Sequence, residues 1–151
     1  MTSFFVILTN IVFSYKGFRD RAFFDKYKFN PNAIKKGENI RYLSSGFLHV
    51  NQGHLFVNMF TLFFFAPVVI RLLGDVNFIL IYLLSLYVGN MITYRINKNK
   101  LNYNAVGASG AVMGVVYSSI LLYPNMTLIL LLFLCLLMFL VYCIYGILYI
   151  Q

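Results

Sequence analysis

Two stretches of this chain, VNFILIYLLSLYVGNMITY (residues 76–94) and MTLILLLFLCLLMFLVYCIYGILYI (residues 126–150), contain no Lys, Arg, Asp or Glu. Lipid offers a backbone no hydrogen-bond partner. A chain therefore crosses the hydrocarbon layer as a helix of about 20 apolar residues, in which every interior N–H and C=O is satisfied from within. Residues 47–70, which end beside Arg71, and residues 105–123 are also long and uncharged, and residues 3–15 make a shorter crossing. Five spans are expected, in an all-α, multi-pass membrane protein. Composition agrees: 61% of residues are hydrophobic and 11% charged, whereas soluble domains are nearer half apolar and a quarter charged.

The N-terminus has no basic leader and no small-residue cleavage site, so the first apolar segment is expected to stay attached. Cys135 and Cys143 both fall in the last apolar run, where a free cysteine acts as a small hydrophobe and no disulfide is expected. The net charge is +8, but eight of the twelve Lys and Arg lie between Lys16 and Arg41 and three more between Arg95 and Lys100. Basic loops flanking spans fit lipid head groups and water rather than nucleic acid.

Residues 15–40 alternate charge with aromatic rings (Phe18, Phe23, Phe24, Tyr27, Phe29). This mixture suits the membrane interface, with rings toward lipid and lysines toward water, and Asn30-Pro31-Asn32 reads as a turn within it. Short connections at Gly74-Asp75, RINKNKLNYN (residues 95–104) and Pro124-Asn125 imply antiparallel neighbouring helices. No internal repeat is evident, and residues 1–151 read as one membrane domain.

Polar side chains within spans are costly, so their positions carry information. His54 and Asn58 are four apart and share a helix face, which Thr61 continues; His49 lies at the mouth of the same span. The pattern fits either a hydrogen-bonded helix contact or a functional face. Zinc is disfavoured, because the two histidines are five apart with no acid beside them, unlike the metalloprotease helix. Further along, Gly107, Gly110, Gly114 and Ser118 fall at helical spacing, and Gly110-x3-Gly114 is the minimal motif for close helix approach. Ser109 therefore reads either as a small interface residue or as a nucleophile whose flanking glycines keep it reachable.

Taken in order, Arg41, HVNQGHLFVN (residues 49–58, His-x4-His-x3-Asn) and GASG (residues 107–110) resemble the rhomboid intramembrane serine proteases. The resemblance implies a rhomboid-like helical bundle. It makes Ser109 the nucleophile at the bottom of a wet cavity, with His54, Asn58 and the Ser109 N–H donating to the oxyanion. Gly107 and His49 would shape that side of the cavity, Gly110 and Gly114 would serve packing, and Arg41 would anchor the interfacial loop. The implied substrates are transmembrane segments of other proteins in the bilayer, with no metal or organic cofactor, in a bacterial inner or plasma membrane. Two positions depart from the family pattern: Ile40 stands where a tryptophan usually precedes the loop arginine, and Met113 where relatives carry an aromatic.

The family's general base is a histidine on a sixth, glycine-rich span, and Gln151 is reached before any such segment. The expectation is a chain incomplete at its C-terminus, with five of six spans and almost no activity alone. His54 as sole base has no carboxylate in a span to orient it, and no spanning lysine offers a Ser-Lys pair. Two other classes stay open: a non-catalytic, derlin-like binder of transmembrane helices, and a small channel or transporter, which would distribute ionisable groups over several spans. Sidedness stays open too, since the family topology puts eleven of the twelve basic residues outside, against the positive-inside tendency.

Overall fold

A computed structural model describes residues 1–100 and 102–125, with Ile129, Leu132 and Cys135. The apolar run 126–150, those three positions apart, and Cys143 within it lie outside the described residues. Seven α-helices and one 3-10 turn make up the described fold, with no strand among the described residues. They are α1 (Thr2–Arg19), α2 (Arg21–Tyr27), α3 (Pro31–Lys35), α4 (Arg41–Ser44), a 3-10 turn (Ser45–Phe47), α5 (Gln52–Leu73), α6 (Asp75–Asn97) and α7 (Ser109–Leu122).

Local chemistry sets these boundaries. The Asn51 side chain accepts from His54 N–H at 2.8 Å, an N-cap that starts α5 at Gln52, not at residue 47. Residues 45–47 form the 3-10 turn, and Leu48 is extended. Gly74, at φ +85, ends α5 and opens α6 with a reversal that other residues adopt poorly. Asn30 caps α3 by accepting from Ala33 N–H, and Pro31 occupies its first turn, so the expected turn at residues 30–32 is a helix start.

The 22 residues of α5 and 23 of α6 are long and apolar enough to cross a membrane. The other apolar segments differ from expectation. α1 has 18 residues and carries Lys16 and Arg19 in its last turn. The run 105–123 yields only the 14 residues of α7, about 21 Å at helical rise. Its first residues are diverted, because Ala105 pairs with Phe29 in an isolated antiparallel bridge and Gly107 turns at φ +133.

The core forms where α5, α6 and α7 meet. Leu62, Phe65, Ala66 and Val69 of α5 pack with Phe78, Tyr82 and Leu86 of α6 and with Ala111, Val112, Val115 and Val116 of α7. Phe56, Phe63, Leu80, Leu84, Tyr117 and Leu121 face outward and are exposed. Gly110 and Gly114 of α7 face α6, but Gly107 does not join their stripe. A methyl built on Gly114 would stand 2.5 Å from Ser85 Cβ on α6, and one on Gly110 3.8 Å from Ser85 O; Gly107 lies outside the helix and faces α5 instead. One interfacial ring also departs from expectation: Phe29 is fully buried in a second cluster with Ile34 and Tyr42, set edge-on to Tyr42 at 6.3 Å and Tyr103 at 6.2 Å.

Candidate active site

Ser109 is the first residue of α7 and is exposed. In a helix the first N–H groups lack intrahelical acceptors, so the backbone at Ser109 and Gly110 starts with donors to offer. Ser109 borders a cavity of about 250 Å³ whose other walls include Ser45, Gly89, Asn90, Thr93, Tyr103 and Gly110. Asn90 donates to Tyr42 O at 2.8 Å and to Ser45 Oγ at 3.1 Å, which fixes the polar side of that space.

The segment ahead of Ser109 is held at three points. Phe29 and Ala105 exchange backbone hydrogen bonds of 2.9 and 3.2 Å, Gly107 N–H donates to Ser45 O at 3.0 Å, and Ala108 N–H donates to His49 Nε2 at 3.4 Å. The fourth neighbour is His54, whose ring lies against Gly107. A Cβ on that glycine would stand 2.6 Å from His54 Cε1 and 3.1 Å from Nε2. Only glycine meets both the left-handed φ and this approach.

The structure thus gathers His49, His54, Gly107 and Ser109 at one end of the bundle. The two imidazoles meet edge-to-face at 5.1 Å. His49, which precedes the spanning helix, is fully buried; desolvation, with a smaller effect of His54, pushes its pKa down to about 4, so the ring is neutral at physiological pH. Asn58 is buried one turn below His54 and donates to His54 O at 2.8 Å, a bond within its own helix. Among the described residues no hydrogen bond joins Ser109 Oγ to either imidazole, and His54 Nδ1 is buried without a partner. No cluster of three or more His, Cys, Asp or Glu able to hold a metal occurs among the described residues.

Arg41 lies away from Ser109 and is almost fully buried. Its guanidinium bonds Glu38 at 2.7 Å and donates to Asp25 O at 2.9 Å and Lys28 O at 2.7 Å. That closes the loop between α2 and α4. Gly110 and Gly114 face α6, as described above.

Sequence reasoning missed the polar face of α1. Asn10, Ser14 and Gly17 are its buried residues. Asn10 donates to Tyr82 OH at 3.0 Å, and Ser14 contacts Phe47 O and His49. Their spacing of four and three within an apolar helix was the available signal. It was obscured because the segment is short and ends in Lys16 and Arg19.

A family model, Rhomboid domain, matches residues 36–151. The chain belongs to the rhomboid family. Among curated proteins, "Putative rhomboid protease YdcA" of Bacillus subtilis (strain 168) is 38% identical over 94 residues, 61% of this chain and 46% of that protein. "RHOMBOID-like protein 4" of Arabidopsis thaliana is 35% identical over 82 residues, 54% of this chain and 20% of that protein. The matched part spans less than half of either relative's length. No solved structure gives a significant match. A rhomboid is an integral membrane protein, and the two long apolar helices α5 and α6 are consistent with that.

Proposed function

We propose that this chain carries the nucleophile and oxyanion side of a multi-pass intramembrane serine endopeptidase that cleaves transmembrane segments of other membrane proteins. The observation that carries the reading is the packing of the His54 ring on Gly107, two residues from Ser109. In the proposed reaction Ser109 Oγ attacks the scissile carbonyl. The resulting oxyanion accepts from the Ser109 backbone N–H and from His54, with Asn58 as a further donor after its amide leaves His54 O. One such donor typically lowers the barrier by about 2.7–4 kcal/mol. The cavity beside Ser109 suits a small side chain next to the cleaved bond, in a substrate helix that has locally unwound.

Attack releases the Ser109 proton, and a base must take it. His49 is committed to Ala108 N–H, and His54 is assigned as a donor. Neither imidazole is therefore assigned as the base, and with these two histidines alone Ser109 is expected to react very slowly. Five crossings, with residues 1–151 as one membrane domain, belong to the same proposal.

The test is twofold. A fluorophosphonate should label the parent protein and not Ser109→Ala, and adding a sixth apolar segment with a suitably placed histidine should accelerate both labelling and cleavage of a model transmembrane substrate. Silence of the extended, correctly inserted protein would refute the reading. A second reading, a non-catalytic binder of transmembrane helices, is favoured by the lack of a hydrogen bond between Ser109 Oγ and an imidazole. It predicts crosslinking to substrate helices with no labelling of Ser109. Labelling Lys35 and Lys98 from either side of sealed vesicles would establish sidedness.

A further inference from the structure

Ser14 lies near the end of α1, far in sequence from Ser109, and is fully buried. Its hydroxyl carries one rotatable proton, and given to Phe47 O at 3.0 Å, an oxygen that only accepts, that proton satisfies the carbonyl. With the proton there, the Ser14 oxygen accepts at its second contact, 2.8 Å from His49 Nδ1, which places the His49 proton on Nδ1. Nε2 is left with a lone pair, and the group facing it at 3.4 Å is Ala108 N–H, a donor. The opposite tautomer sets N–H against N–H at Ala108 and, because Ser14 would have to turn its proton to Nδ1, takes from Phe47 O its Ser14 donor. A protonated ring fails at Ala108 for the same reason.

From this chain of contacts we infer that Ser14 is a positioning residue: it selects the Nδ1–H tautomer of His49, which then holds Ala108 N–H and so sets the position of Ser109. The inference rests on Ser109 being the nucleophile. It makes the first helix part of the serine's support. The depressed His49 pKa fits, since a ring that stays neutral keeps the Nε2 lone pair available. Moving the proton to Nε2 would cost the Ala108 bond and the Ser14–Phe47 bond together.

The test has a readout that does not require activity. The chain has two histidines, so nitrogen-15 NMR of histidine-labelled protein in micelles gives two ring systems, assigned by His54→Gln. In the parent, His49 should show the Nδ1–H, neutral pattern. Ser14→Ala removes the acceptor of Nδ1–H while Ala108 N–H still disfavours Nε2–H, so the single Nδ1–H pattern should give way to a mixture of the two neutral tautomers, and fluorophosphonate labelling of Ser109 should slow about tenfold, the order expected for one lost buried hydrogen bond. Ser14→Thr keeps the hydroxyl and should keep both the tautomer and the rate. It also separates loss of the hydroxyl from loss of the fold, which a thermal melt of each variant monitors. An Nε2–H or protonated His49 in the parent, or an unchanged tautomer in folded Ser14→Ala, overturns the inference. If the tautomer behaves as stated while Ser109 never labels even in the protein extended by the histidine-bearing segment, the protease reading fails and the Ser14–His49 assignment stands; labelling with the wrong tautomer gives the converse.

Discussion

Replacing Gly107 by alanine separates the site's geometry from general stability. At φ +133, an L-residue is strained by about 1–3 kcal/mol. The new methyl would also stand 2.6 Å from His54 Cε1, whereas carbon contacts settle near about 3.5 Å. The ring must therefore retreat by about 0.9 Å, or the loop must yield, at a further cost of about 1–3 kcal/mol for overpacking. Displacing a catalytic group by about 1 Å lowers rates by about 100-fold, so labelling of Ser109 by a fluorophosphonate should fall by about two orders of magnitude. Gly37→Ala and Gly74→Ala are the matched controls. They too have positive φ, +101 and +85, but a methyl there meets nothing within 4 Å. Both should lower the melting temperature through backbone strain and leave labelling within about threefold of the parent. The reasoning is refuted if folded Gly107→Ala labels at near the parent rate, or if Gly74→Ala slows labelling as much as Gly107→Ala does.

Other perturbations probe the support around the site. Arg41→Ala leaves the Asp25 and Lys28 carbonyls without their donor and should cost about 2–4 kcal/mol, with little from half-exposed Glu38; limited proteolysis should then cut between residues 20 and 40. Gly114→Ala should destabilise by about 1–3 kcal/mol through its clash with Ser85, and Ser85→Gly in the same chain should recover most of the loss in a double-mutant melt. A neutral, buried His49 binds its proton at about 4 when folded against 6.5 in the open chain. Below pH 6.5 the unfolded state therefore holds more protons, and stability should fall by up to about 3 kcal/mol as pH drops to 4, then level off. His49→Asn should remove that step from the melting-temperature profile.

That α5 and α6 are long and apolar enough to cross a membrane was legible, because long apolar runs with few charges read directly as helices of that length. So was the placement of His54 and Asn58 on one helix face, which spacing alone dictates. The extent of α7 was not legible, because hydropathy cannot register a glycine at φ +133 or a backbone bridge from Ala105 to Phe29, and both remove residues from an otherwise helical run. Phe29 was misjudged for a related reason. Its ring looked interfacial among lysines, yet Tyr42 and Tyr103, distant in sequence, bury it. Ser14 escaped notice because a serine within an apolar segment is unremarkable until its partner, His49, is seen across the bundle.

The paired backbone bonds between Phe29 and Ala105 join the amphipathic loop to the strand of chain that ends at Ser109. Three residues separate Ala105 from Ser109, and two of their amides, those of Gly107 and Ala108, are themselves tied down, so little slack remains. The loop and the nucleophile therefore move as a linked pair. If Ser109 is the nucleophile as proposed, a detergent or lipid that lifts the loop from its seat should slow its labelling while the helices stay intact.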